Sequence, residues 1–349
     1  MIKGREKMKE TIFLGTYTRR ESKGIYTIEL DTETKKLTNL NVAIPENGPT
    51  YLGITADGYL LTVSSKDGQG GLVSYKLLED GTYEEINRIT SEGASPCYVG
   101  IDNTQRLAFG ANYHKGELTS YHFDSEGVLT LKDTVQHKGN GPHENQDKAH
   151  AHYSDLTPDN RLVACDLGTD GVYTYDISDE GKLTEIACYH AEPGTGPRHI
   201  IFHPNEKIAY LFGELANTIT TLSYNQENGK FETLQTISTL PDTFTDFSGG
   251  AAIRISADGK YVYVSNRGHN SIAVFSVLDD MTLNCLEIIP SEGDFPRDFT
   301  LNKSEDFLIV AHQNTDNLTL FERNKETGRL TLIQKDVYAP ECVCTYLIK

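Results

Sequence analysis

The sequence predicts an all-β fold: a seven-bladed β-propeller of four-stranded antiparallel blades, its ring closed by pairing N- and C-terminal strands within one blade. An ungapped internal repeat and a pair of termini that complete one further copy of it carry this expectation. The repeat is seen in YLGITADGYLLTVSS from Tyr51, YVGIDNTQRLAFGAN from Tyr98, YSDLTPDNRLVACDL from Tyr153, HIIFHPNEKIAYLFG from His199, AIRISADGKYVYVSN from Ala252 and DFTLNKSEDFLIVAH from Asp298. With Ile54, Ile101, Leu156, Phe202, Ile255 and Leu301 as the common register, the intervals are 47, 55, 46, 53 and 46 residues, close to the roughly 40–50 of a propeller blade. Two stacked β-sandwiches explain this less well, because sandwich strands need no constant spacing.

In chain order, the segment TIFLGTYTRRESKGIYTIELDTETKKLTNL comes first and supplies the outer three strands of one blade. Six full units follow. Each opens with a short apolar strand, turns at polar residues such as Ala56-Asp57-Gly58, Pro158-Asp159-Asn160 or Ala257-Asp258-Gly259, and returns as an alternating strand. Third strands such as GLVSYKL, GVYTYDI, TITTLSY, SIAVFSV and NLTLFER lead through Gly or acidic turns into a fourth. The terminal PECVCTYLI reads as a seventh copy of the first strand, and its pairing with the N-terminal strands leaves the ring no free edge. The expected organisation is a flexible extension over residues 1–10 and a single propeller domain over 11–349.

Composition narrows the function classes. Hydrophobic residues make up 38% of the chain, enough for a core, and no apolar run approaches the ~18 residues of a membrane span. The basic start MIKGREKMKE is followed by no secretory apolar region, so the expectation is a cytoplasmic protein without membrane contact. A formal charge of −18 disfavours nucleic acid and anionic lipid. Any anionic ligand must be held by a local cluster of cations. The six cysteines form neither a CxxC pair nor a disulfide framework and read as reduced thiols.

The innermost strands of a propeller line its channel, so two register positions should ring one mouth. The first, after the usual proline, reads Thr50, Cys97, His152, Arg198, Ala251, Arg297 and, from the closing strand, Glu341. The second reads Lys66, Tyr113, Gly168, Glu214, Arg267 and Gln313, with Tyr17 as the counterpart in the first blade. Converging Arg, His and Glu side chains point to an anion-binding pocket, since charged groups are rarely buried without a partner or ligand. Long connections, HKGNGPHENQDKAH and STLPDTFTDFSGG, lie beside this face. The first leads into KAHAHY, where His150 and His152 are spaced to project into one space if the segment is extended. His143, Glu144, Asp147, His150 and His152 are chemically adequate metal ligands, but nearby arginines would repel a cation, and the expectation is no metal and no cofactor.

The motifs GTYT with GIY, KAHAHY, GPRHIIFHPN with GEL, IRISADGKYVYVSNRGHNSIAVF and DFPRDFTLNKSEDFLIVAHQN together resemble the seven-bladed β-propeller lactonase family over nearly the whole chain. That family includes bacterial 6-phosphogluconolactonases and the fungal carboxy-cis,cis-muconate lactonizing enzyme. The resemblance implies a carboxylic ester hydrolase that opens 6-phospho-D-glucono-1,5-lactone, an anionic sugar lactone of the pentose phosphate pathway. It implies a site of His152 or His150 with Arg198, Glu214 and Arg267. One departure is Ala251-Ala252, where an acidic residue often stands in the family.

For such a reaction His152 is the expected general base, kept neutral by flanking arginines, and Arg198 the expected oxyanion donor. Arg267 and Arg297, with Tyr17 and Lys66, are the expected phosphate and substrate contacts. Glu214 either positions Arg267 or passes a proton to the leaving hydroxyl. The alternatives are a lactonizing enzyme resembling carboxymuconate cyclase and a noncatalytic propeller that presents its rim to a protein.

Overall fold

A computed structural model describes residues 9–348 and contains seven four-stranded antiparallel sheets. The closing blade is ordered Cys342–Leu347, Lys9–Thr16, Gly24–Asp31, Lys36–Pro45. Its inner pairing runs from Ile12 opposite Leu347 to Thr16 opposite Cys342, as the termini predict. The expected extension over 1–10 lies outside the described residues apart from Lys9 and Glu10, which open the strand Lys9–Thr16. The other innermost strands are Leu52–Ile54, Tyr98–Asp102, Ala151–Leu156, Pro197–Phe202, Gly249–Ile255 and Pro296–Leu301. Each continues outward through three further strands in sequence order.

Second and third strands rich in β-branched and aromatic residues are buried on both faces, as in Tyr261–Arg267 and Ser271–Val277. Fourth strands such as Lys230–Ser238 alternate toward solvent. The core is therefore divided among the seams between blades. Val163 and Cys165 meet Ile200 and Leu211 in one seam. Tyr210 and Phe212 meet Val264 and Phe275 in the next, and Ile12 and Leu14 meet Ile309 and Leu320 where the ring closes. Removing apolar surface from water at these seams holds the blades together.

A β-bulge interrupts several innermost strands at one level. Ala151 opposes Asp166 and Tyr153 opposes Cys165, leaving His152 extra. Pro197 and His199 oppose Gly213 and Phe212, leaving Arg198. Pro296 and Asp298 oppose His312 and Ala311, leaving Arg297. In the closing strand the extra residue is Val343, and in Gly249–Ile255 the shift spans Ala251 and Ala252. A bulge re-aims side chains that the strand's alternation would otherwise direct.

The connection over residues 137–150 is held by buried polar bonds. His137 bonds Asp166 Oδ2 at 2.7 Å through Nδ1 and the Tyr175 hydroxyl at 2.8 Å through Nε2. The Gln146 amide donates to Leu167 O. The connection after Ser238 stacks Phe247 on Phe295, with ring centroids 6.3 Å apart. All six cysteines are free thiols.

Candidate active site

The mouth of the channel opens into a cavity of about 610 Å³, within the roughly 300–1,000 Å³ typical of small-molecule sites. Tyr17, Cys97, Tyr113, His152, Glu214, Arg267 and Arg297 line it. Deeper along the inner strands, a recess of about 40 Å³ is lined by His152, Arg198, His199 and Arg297 among others. Most of the two rings of positions read from the repeat thus converge.

Glu214 joins two of the arginines. Its Oε2 lies 2.9 Å from Arg198 Nε and 2.8 Å from Arg267 NH2. The Arg198 Nε–H is not aimed at it and has no hydrogen-bond partner among the described residues, so this contact is ionic rather than a directed bond. Arg198, only 3% exposed, also donates through NH1 to Ala251 O at 2.5 Å and faces His199 Nε2 at 3.3 Å. Arg267 donates through Nε and NH2 to Gly249 O and Gly250 O. A Cβ on Gly249 would lie 3.2 Å from Arg267 NH2, and one on Gly250 would strike the Phe212 ring at 2.6 Å, so glycine admits this close approach.

Burial opposes the charge of Glu214, but Arg267 and Arg198 overcome it and hold the carboxyl below its ordinary range. A carboxylate that resists protonation is a poor proton donor, so the geometry favours Glu214 as an anchor. Burial pushes Arg198 down to about 9, helped by Arg267 and Arg297; it remains a cation at neutral pH.

His152 is 5% exposed, and its Nδ1 has no hydrogen-bond partner among the described residues. Its pKa lies well below the usual imidazole range, chiefly through burial and then through Arg198, Arg297 and Arg267. Desolvation, rather than the flanking arginines expected from the sequence, is the larger cause. His150 does not share this space, because the bulge at His152 breaks the two-residue alternation. Its ring stacks on Tyr113 with centroids 4.3 Å apart, while Nδ1 bonds Tyr113 O and Nε2 bonds Asp147 Oδ1, each at 2.8 Å. Both ring nitrogens are thereby engaged by these two groups. His150 supports the wall that Tyr113 presents to the cavity.

Several other expected positions fall elsewhere. Lys66 lines neither cavity: its strand stays paired through Lys66 opposite Gln69, across a tight turn at Asp67 and Gly68 with φ of 53° and 74°, and its side chain is carried to the exposed rim. Glu341 sits two residues before the position equivalent to Arg198. The pairing of Leu347 with Ile12 makes Val343 the equivalent of Arg198, and Val343 lines the recess. The Glu341 carboxylate instead accepts backbone N–H bonds from Arg19, Arg20 and Ser22 at 2.9, 2.9 and 3.0 Å. Gly168 lines neither cavity, and a Cβ there would meet Lys148 O at 1.8 Å. Gln313 approaches Arg297 NH1 at 3.4 Å.

Sequence reasoning missed Arg19 and His114 in the cavity wall and the tier beneath it. There Tyr51, Tyr98 and Tyr153 succeed one another at 4.3 and 4.5 Å between ring centroids, and His199 lies 5.4 Å from Tyr153. Their identical place in the repeat was the available signal. Among the described residues no group of three or more His, Cys, Asp or Glu is gathered as metal ligands.

The buried imidazoles make stability depend on pH. Burial holds His152 and His199 well below the usual value and His312 down to about 4. An unfolded histidine takes up its proton near pH 6.5, which the folded chain refuses, so falling pH favours unfolding. Each group should remove about 1.4 kcal/mol per pH unit between its unfolded and folded pKa. Denaturant midpoints measured at about pH 7.5 and about pH 5 should show a clear loss at the lower value; equal midpoints would contradict it.

Comparison with known proteins agrees with this architecture. Residues 11–347 match the family model described as lactonase, 7-bladed beta-propeller. An uncharacterized protein of Lactococcus lactis subsp. cremoris is 51% identical over 97% of this chain and 99% of its own. The 6-phosphogluconolactonase of Bacillus subtilis is 44% identical over 95% of this chain and 96% of its own. A crystal structure of a Lactobacillus plantarum protein is 45% identical, with a TM-score of 0.96, covering 98% of this chain and all of that one. By sequence match and blade architecture alike, the chain belongs to the seven-bladed β-propeller lactonase family.

Proposed function

We propose that the protein hydrolyses 6-phospho-D-glucono-1,5-lactone to 6-phosphogluconate, in the cytoplasm and within the pentose phosphate pathway. One observation supports this most: a neutral, buried imidazole and a buried guanidinium, His152 and Arg198, meet at a recess opening from a sugar-sized cavity. Hydrolysing a lactone requires an activated water, a stabilised oxyanion and a protonated leaving oxygen. His152 takes a proton from water as the water oxygen bonds the lactone carbonyl carbon. The recess of about 40 Å³ exceeds the roughly 10–15 Å³ a water needs. Arg198 stabilises the carbonyl oxygen as it becomes an alkoxide. When the tetrahedral intermediate collapses, the bond from that carbon to the ring oxygen breaks, and the imidazolium returns its proton to the departing oxygen. Glu214 holds Arg198 and Arg267 at fixed positions.

A propeller serving only as a scaffold has no need of such desolvated cations. Purified protein given freshly formed lactone should accelerate opening well above the spontaneous rate, and exhaustive chelation should leave that rate unchanged. No acceleration would end the hydrolase reading, and loss on chelation would bring a metal into the mechanism.

A further inference from the structure

We propose that Arg19, together with Arg297, forms the subsite for the substrate's phosphate monoester, and that Arg267 serves to anchor Glu214. This rests on the lactonase reading above and assigns its anion-binding end. Among the described residues, Arg20, Arg88, Arg106, Arg161, Arg198, Arg254, Arg267, Arg323 and Arg329 each lie within ion-pair distance of a carboxylate. Arg19 and Arg297 are the described arginines without such a partner. Both line the same cavity, and both place the guanidinium carbon near the Tyr17 ring, at 4.0 and 5.7 Å from its centroid. In a chain of formal charge −18, two cations at one mouth with no carboxylate in ion-pair contact are what a site for an incoming dianion requires.

The neighbouring arginines of the first-blade loop make the contrast directly. Arg20 turns away, donating to Asp316 Oδ1 at 2.8 Å and Gln313 O at 3.3 Å. Arg19 is exposed toward the cavity, yet its backbone is fixed. Its N–H and those of Arg20 and Ser22 bond the Glu341 carboxylate, and Tyr17 N donates to Glu341 O at 3.0 Å. Thr18 Oγ1 accepts Gly48 N. A free guanidinium on a braced backbone is preorganised for a planar, two-pronged grip on phosphate oxygens. Arg267 is less suited, because Nε and NH2 are already directed to Gly249 O, Gly250 O and Glu214. His114 completes the wall: it lines the cavity, and its pKa is lowered by burial and, among nearby cations, by Arg19. Glu341 is a positioning residue for this subsite.

The test compares 6-phospho-D-glucono-1,5-lactone with D-glucono-1,5-lactone. Arg19→Gln should lower kcat/KM for the phosphorylated lactone by about 10- to 100-fold, mainly through KM. For the unphosphorylated lactone the fall should be less than about threefold, and Arg19→Lys should recover part of the loss. Equal effects on both lactones, or none on either, would overturn the subsite. Calorimetric binding of 6-phosphogluconate to the unaltered protein and to Arg19→Gln tests it independently of turnover. Weaker binding by the variant supports the subsite, and equal binding overturns it. Absence of hydrolysis with the difference in binding intact would remove the lactonase reading while leaving the phosphate site standing.

Discussion

Replacing His152 with alanine should lower kcat for the phosphorylated lactone by about 10²- to 10⁴-fold, the usual contribution of a positioned general base. KM should change little, because the proposed phosphate subsite lies at Arg19 and Arg297. Truncating this ring also relieves a cost, since an imidazole with an orphaned Nδ1 is buried among cations. The variant should therefore fold at least as stably near pH 5 as the unaltered protein, and a denaturant titration there would check it. The pH profile supplies a second readout. With the imidazole's pKa depressed, the base-competent form persists into acid, and kcat/KM should decline only well below the ordinary histidine value of about 6.5. His150→Ala is the control. Its ring contacts Tyr113 and Asp147, so its loss should loosen the cavity wall and raise KM more than it lowers kcat. If His150→Ala removed turnover while His152→Ala spared it, the roles assigned here would be reversed.

Arg198→Ala should cost roughly 10²- to 10³-fold in kcat, the range found when one oxyanion donor is removed. Arg198→Lys should recover little of it. A lysine keeps the charge but has no fork with which to contact Ala251 O and a developing alkoxide at once. The fold should tolerate either change, because Glu214 keeps its contact with Arg267 at 2.8 Å. Near-normal turnover by Arg198→Ala would place oxyanion stabilisation on another group. Thermal unfolding of the same variants separates a catalytic loss from a folded-state loss.

Much of this architecture was legible in the sequence because blades repeat. A register taken from Ile54 onward placed His152, Arg198 and Arg297 at one level, and the structure carries all three into bulges there. The ladder itself was less legible. Alternation suggested that His150 and His152 would point the same way, and a bulge invisible in the residue types cancelled that rule. Glu341 was misplaced because a two-residue slip preserves the inward and outward pattern of a strand; only pairing with Ile12 identifies Val343 instead. Lys66 was misplaced because its hairpin turn is shorter than those of blades whose second strands end in longer loops. Arg19 lies two residues beyond Tyr17 in a connection between second and third strands that is longer than those of the other blades, so the common register does not extend to it.

Pairing of Cys342–Leu347 with Lys9–Thr16 also bears on how the protein is made. During synthesis from the N-terminus, the earliest blade emerges with its innermost strand still untranslated, and the edge of Lys9–Thr16 stays open until Cys342–Leu347 has left the ribosome. Circularisation thus waits for Cys342–Leu347, and a nascent chain stalled before that strand would display an adhesive edge. A bulky tag appended just beyond Cys342–Leu347 places its load on the seam that fastens the disc, whereas an insertion in an outer-strand hairpin leaves that fastening alone.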